Sequence, residues 1–227
     1  MREKIIIALD FDNIEAAKKC VTDLPEAIFF KVGLEAYIKY GNEIIEFLKT
    51  HNKKLFLDLK FKDIPNTVYG AVNSALKYEP DFLTIHLSGG GKMIRKALEA
   101  AHPSQLTILG VTILTSLSET DMSETGSAFS IKDSVLKLCQ LGVQNGLNAF
   151  VCSPQEIELL RSQVGSEITL ITPGIRPEWA ATNDQKRVFT PKMAISAGSN
   201  FLVIGRPITK HPQPSKAFQM ILDELHI

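Results

Sequence analysis

Short apolar runs alternate with amphipathic stretches along the whole chain. Residues 4–9, 28–32, 54–59, 82–86, 107–114, 149–152, 169–172 and 201–204 are compact, apolar and rich in β-branched or aromatic side chains, the pattern of buried strands. Between them, apolar residues recur at helical spacing over residues 13–24, 34–51, 65–78, 90–101, 130–145, 154–164, 191–197 and 213–226. Pro65 falls where a first-turn proline is tolerated. Strand–helix units in strict alternation predict parallel strands joined by crossover helices. Eight such units predict closure into an α/β barrel, a (β/α)8 fold forming one domain over residues 1–227. The alternative is an open, doubly wound sheet. No G-x-G-x-x-G follows the first strand, which weakens it. Gly89-Gly90-Gly91 after strand four reads as a turn into a helix.

Composition narrows the picture. The 227 residues suit one barrel, and 25 Lys+Arg balance 25 Asp+Glu. No basic tract favours nucleic acid, and no acidic tail suggests a partner arm. Cys20, Cys139 and Cys152 are scattered, with no Cys-x-x-Cys pair, which fits a reducing cytoplasm better than a disulfide framework. The chain opens without a signal-peptide pattern, and no apolar run approaches the roughly 18 residues of a membrane span. The expectation is a soluble cytoplasmic protein.

Barrel active sites form at the C-terminal ends of the strands. Here those ends carry Asp10, Lys31, Asp58 with Lys60, His86, and Thr115 with Ser116. Strand seven leads to Arg176 and strand eight to Gly205-Arg206. Asp58 and Lys60 share one strand face, and Lys62, beyond the predicted strand, is expected to face solvent. Asp10 alone fits a helix cap as well as a site. Lys31 alone fits a snorkelling rim residue, and Asp58–Lys60 alone fits a rim ion pair. Asp58 and Lys60 together with Asp63 and Lys31 favour a site, because charges are costly to bury unless paired. His86 has no second histidine at metal-ligand spacing and reads as a barrel-mouth residue. Residues 173–190 form a long connection holding Arg176, Gln185, Lys186 and Arg187, either a solvated surface loop or a lid over an anion. Loops after strands seven and eight commonly bind phosphate, and arginine pairs with it bidentately. Arg176, Gly205 and Arg206 are therefore expected to form a phosphate clamp.

Six motifs in order then carry a resemblance: D-L-K-F-K-D-I-P-N-T (58–67), K-V-G (31–33), L-T-S (114–116), T-P-G-I-R-P (172–177), D-Q-K-R (184–187) and I-G-R-P-I (204–208). Over its whole length the chain resembles the orotidine 5′-phosphate decarboxylases, in their bacterial type. The resemblance implies a homodimer of barrels with no metal or organic cofactor. It implies that Asp10 and Lys31 hold the ribose hydroxyls, and that Lys31, Asp58, Lys60 and Asp63 form an alternating charge network. Asp63 and Thr67 would reach into the neighbouring subunit's site. Thr115 would contact the pyrimidine, and Arg176, Gln185, Gly205 and Arg206 the phosphate, with Gln185 bridging from the lid. Lys60 would be the proton donor, its ammonium form favoured by acidic neighbours. Two rivals stay open. One is a sugar-phosphate decarboxylase or aldolase of the same superfamily, which shares Asp-x-Lys-x-x-Asp but recruits magnesium through an acidic residue where Lys31 stands. The other is a non-catalytic nucleotide-phosphate binder.

Overall fold

Eight parallel strands close on themselves in chain order. In the computed structural model, which describes residues 1–102, 104–180 and 189–226, these are β1 (Ile5–Ala8), β2 (Phe29–Gly33), β3 (Lys54–Phe61), β4 (Phe82–His86), β5 (Thr107–Val111), β6 (Ala149–Val151), β7 (Thr169–Thr172) and β8 (Phe201–Ile204). Each pairs with its sequence neighbours, and β8 returns to β1 with Ile6 opposite Val203. The expected (β/α)8 barrel is the observed fold. The helices are α1 (Ile14–Asp23), α2 (Leu34–Tyr40), α3 (Asn42–Thr50), α4 (Pro65–Ala75), α5 (Gly91–Ala101), α6 (Glu119–Glu124), α7 (Ile131–Gln144), α8 (Ile157–Gln163), α9 (Pro191–Ser196), α10 (Arg206–Thr209) and α11 (Pro214–His226). None of these is long and apolar enough to cross a membrane.

The strands read as continuous apolar runs because both their faces are buried. Ile6, Ala8, Phe29, Phe56, Phe82, Leu109, Ala149, Ile171 and Val203 fill the barrel. Ile5, Ile7, Phe30, Leu55 and Leu57 pack outward in the larger core shared with the helices. This alternation builds the mouth of the barrel. Two residues beyond inward-facing Ala8, Phe29, Phe56 and Val203 stand Asp10, Lys31, Asp58 and Gly205.

Several elements depart from expectation, among them a short helix, α10, directly after Gly205. The single helix expected over 34–51 is two, α2 and α3, broken at Gly41, whose φ of 53° and ψ of −127° suit a residue with no Cβ. Strand β5 stops at Val111 rather than 114, freeing the following residues to form part of the mouth. Helix α6 lies in the polar segment expected as loop. It is nearly all polar, so no apolar period marks it, but a box closes its start: Ser118 accepts from the Asp121 N–H and Asp121 from the Ser118 N–H. Strand β3 runs to Phe61, two residues beyond expectation, and carries an irregularity that shapes the site.

Candidate active site

The site begins with Asp58, buried at 9% exposure in the C-terminal half of β3. One carboxylate oxygen, Oδ1, lies 2.8 Å from Lys60 Nζ; the other, Oδ2, lies 3.3 Å from Lys31 Nζ. Lys31 Nζ is in turn 3.4 Å from Asp10 Oδ1. The ends of three adjacent strands thus form one row of alternating charge: Asp10, Lys31, Asp58, Lys60. Asp10 is not the cap of α1. Asn13 fills that role, accepting from the N–H groups of Glu15 at 2.7 Å and Ala16 at 3.3 Å. Gly33 makes room for the row, since a Cβ there would stand 2.9 Å from Lys31 Nζ.

Burial opposes ionisation of Asp58. The charges of Lys31 and Lys60, with hydrogen bonds from Lys60 and Thr84, outweigh it and hold the carboxyl below the usual carboxylate range. His86, half-buried at the end of β4, is pushed the other way. Burial, then the cations Lys62 and Lys60, lowers its pKa and favours the neutral imidazole. Lys62 is exposed, as expected, although it has the same parity as Asp58 and Lys60, because β3 slips in register and ends at Phe61. Among the described residues, no group of three or more His, Cys, Asp or Glu is placed to hold a metal ion.

Lys60 reaches this position through an irregular backbone. Leu57 pairs with Leu83 and Phe61 with Ile85, so β3 spends four steps where β4 spends two. Lys60 takes a left-handed φ of 51°, a conformation that costs a non-glycine residue of order 1–3 kcal/mol and persists only when its surroundings hold it. Its N–H donates to Thr84 Oγ1 at 2.9 Å, and the same hydroxyl donates to Asp58 Oδ1 at 3.0 Å. Thr84 escaped the reading of the sequence. The signal was present in strand parity, because Phe82 faces inward and Thr84 is two residues on.

Thr115, Ser116, Arg176, Gly205 and Arg206 line the same cavity of about 410 Å³ as Asp10, Lys31, Asp58 and Lys60. The Arg176 N–H donates to the Phe189 carbonyl at 3.1 Å, tying together the two described ends of the long connection after β7. Gln185, Lys186 and Arg187 lie outside the described residues. Asp63 and Thr67 are not brought into the cavity of their own chain. Both are exposed, and Asp63 Oδ1 accepts from the Ile64 N–H at 2.6 Å. Within one chain the row is therefore Asp10–Lys31–Asp58–Lys60, and Asp63 stands apart from it.

Comparison with known proteins gives a consistent result. The family described as orotidine 5′-phosphate decarboxylase / HUMPS matches residues 3–221. The orotidine 5′-phosphate decarboxylase of Thermobifida fusca is 44% identical over 227 residues, covering 99% of this chain and 97% of that protein. That of Synechocystis sp. is 41% identical over 230 residues, covering 99% of each. The crystal structure of the Lactobacillus acidophilus orotidine 5′-phosphate decarboxylase superposes with a TM-score of 0.88 at 35% identity, covering 98% of this chain and 99% of that one.

Proposed function

The chain belongs to the orotidine 5′-phosphate decarboxylase family, and from that premise we propose that it is a carboxy-lyase that converts orotidine 5′-phosphate to uridine 5′-phosphate in de novo pyrimidine biosynthesis. The observation that carries this reading is the row Asp10–Lys31–Asp58–Lys60 sharing one cavity with Arg176 and Arg206.

Decarboxylation breaks the bond from carbon 6 of the pyrimidine to its carboxylate and leaves the electron pair on carbon 6, where no good electron sink exists. Placed charge must then supply the stabilisation, without a metal or an organic cofactor. The Lys60 ammonium stabilises the developing carbanion and gives it a proton, leaving a neutral amine that solvent reprotonates. Asp58, kept ionised by Lys31 and Lys60, stands beside the departing carboxylate. That repulsion fades as carbon dioxide forms, a secondary contribution beside stabilisation of the carbanion. Asp10 and Lys31 hold the ribose hydroxyls and Thr115 meets the pyrimidine. Arg176, Gln185, Gly205 and Arg206 take the phosphate. Binding energy from that remote group holds the loop closed and the charges in register.

The working unit is a homodimer in which Asp63 and Thr67 complete the neighbour's site. Support comes from their exposure and from exposed apolar side chains on the same chain. Ile64 is 68% exposed, and Ile38, on the helix after β2, is 75% exposed; apolar surface of this kind favours a partner. The compartment is the cytoplasm, in keeping with three buried, unpaired thiols.

The metal-dependent rival is disfavoured by Lys31, whose ammonium lies 3.3 Å from Asp58 Oδ2 where a cation-binding site would need a carboxylate. A simple nucleotide-phosphate binder has no use for a lysine locked against Asp58. The test is the loss of orotate absorbance when purified protein meets orotidine 5′-phosphate with a chelator present. Turnover indifferent to chelator is expected. No turnover, or turnover that needs added magnesium, overturns the reading.

A further inference from the structure

We propose that Thr84 is a positioning residue for the reaction: its hydroxyl holds the backbone bend that aims Lys60 and fixes the Asp58 oxygen that Lys60 faces. The kinetic side of this inference rests on the decarboxylase reading, while its structural side does not.

Thr84 is fully buried, among apolar neighbours on β4. Its hydroxyl closes a small ring. Oγ1 accepts from the Lys60 N–H at 2.9 Å and donates to Asp58 Oδ1 at 3.0 Å, and Lys60 Nζ donates to that same oxygen at 2.8 Å. Lys60 is thereby held at both ends, through its backbone and through its ammonium. The slip between β3 and β4 falls at this point, between Leu57 and Phe61, so Thr84 supplies the acceptor that a regular ladder would have given Lys60. The direction of the bonds is dictated. An ionised carboxylate only accepts, so the Thr84 proton must point to Asp58, which leaves its lone pairs for the Lys60 N–H. The left-handed φ of 51° at Lys60 needs such a hold, because no side-chain preference favours it.

Valine has nearly the shape of threonine and makes neither bond. Thr84→Val leaves the Lys60 N–H without its acceptor and frees the bend. Loss of one hydrogen bond to a charged group corresponds to a fall in kcat of about 10- to 100-fold, with KM for orotidine 5′-phosphate changing by less than about threefold. Exchange of the Lys60 backbone amide, read by NMR, is expected to quicken at least about tenfold once its acceptor is gone. Thr84→Ser keeps the hydroxyl and is expected to recover most of both losses. Thr84→Ala carries the same expectation as the valine variant, should the latter not fold.

Wild-type kcat in Thr84→Val, a loss confined to KM, a serine variant as impaired as the valine one, or an unchanged Lys60 amide each overturns the inference. If the wild-type protein does not turn over orotidine 5′-phosphate, the decarboxylase reading fails instead, and the exchange rate of the Lys60 amide still decides whether Thr84 holds the bend.

Discussion

Lys60 Nζ lies 2.8 Å from Oδ1 of Asp58, a carboxylate that is itself buried. The second oxygen of that carboxylate is taken by Lys31 at 3.3 Å. An isolated buried carboxylate would favour its neutral form; between two ammonium groups it stays ionised. Asp58 therefore has two uses, to fix the direction of Lys60 and to hold negative charge where a substrate carboxylate must leave.

Removing the amine separates chemistry from folding. The Lys60 side chain is 36% exposed and Lys31 still faces Asp58, so Lys60→Ala leaves the core intact. Turnover is expected to fall by at least about 10³-fold, the loss of a proton donor and a placed charge, while the circular dichroism spectrum is retained. Near-normal turnover would remove Lys60 from its role.

Arg206 lines the same cavity as the charged row, directly after Gly205 at the end of β8. Arg206→Ala is expected to lower kcat/KM for orotidine 5′-phosphate by roughly 10²-fold, as when one partner of a charge pair is truncated. The phosphate-free nucleoside should be used as poorly as before. Steady-state kinetics on both substrates decides, and unchanged efficiency with the phosphorylated substrate discards the clamp.

Asp63 is exposed on its own chain, so a shared site predicts complementation. Asp63→Ala and Lys60→Ala homodimers should each be nearly inactive. In a mixed dimer, one site combines wild-type Lys60 from one chain with wild-type Asp63 from the other. Mixing the two proteins and allowing exchange should restore activity, and hybrids that form without recovery would refute a site built across subunits.

Glu156, at the end of a short turn after β6, offers a test of the fold's electrostatics away from the cavity. Burial raises its carboxyl from 4.5 to about 7, against the pull of the Ser153 N–H at 2.8 Å. The folded chain therefore holds this proton through a window in which the unfolded chain releases it. Stability is lost as pH rises through that window, and the cost is full above about 7. Glu156→Gln can accept the same N–H without a charge. It should be more stable than wild type by about 1–3 kcal/mol at alkaline pH, with the gain vanishing well below the ordinary carboxylate range. Urea unfolding at both extremes measures this, and an equal gain at both would contradict it.

Much of this molecule could be read from the sequence because buried parallel strands are continuous apolar runs, and parity carries each run to its mouth residue. Ala8 leads to Asp10, Phe29 to Lys31 and Phe56 to Asp58 by the same two-residue step. Other features are not written in pattern. The break at Gly41 depends on a backbone angle that an amphipathic period does not encode. The bend at Lys60 lies inside a stretch that scans as ordinary strand, and Thr84, a good β-former, looks there like any strand residue until its hydroxyl is seen between Lys60 and Asp58. Asp63 belongs to the row by motif, yet it lies outside the cavity of its own chain, since its use depends on a second copy.

The most direct test is a crystal structure with a uridine 5′-phosphate analogue that carries an anionic group at carbon 6. Lys60 Nζ is expected within about 3.5 Å of that group, at proton-transfer reach, with the phosphate between Arg176 and Arg206. An analogue bound with Lys60 turned away from carbon 6, or with its phosphate on the Asp10–Lys31 side, would contradict the assignment of Lys60 as proton donor.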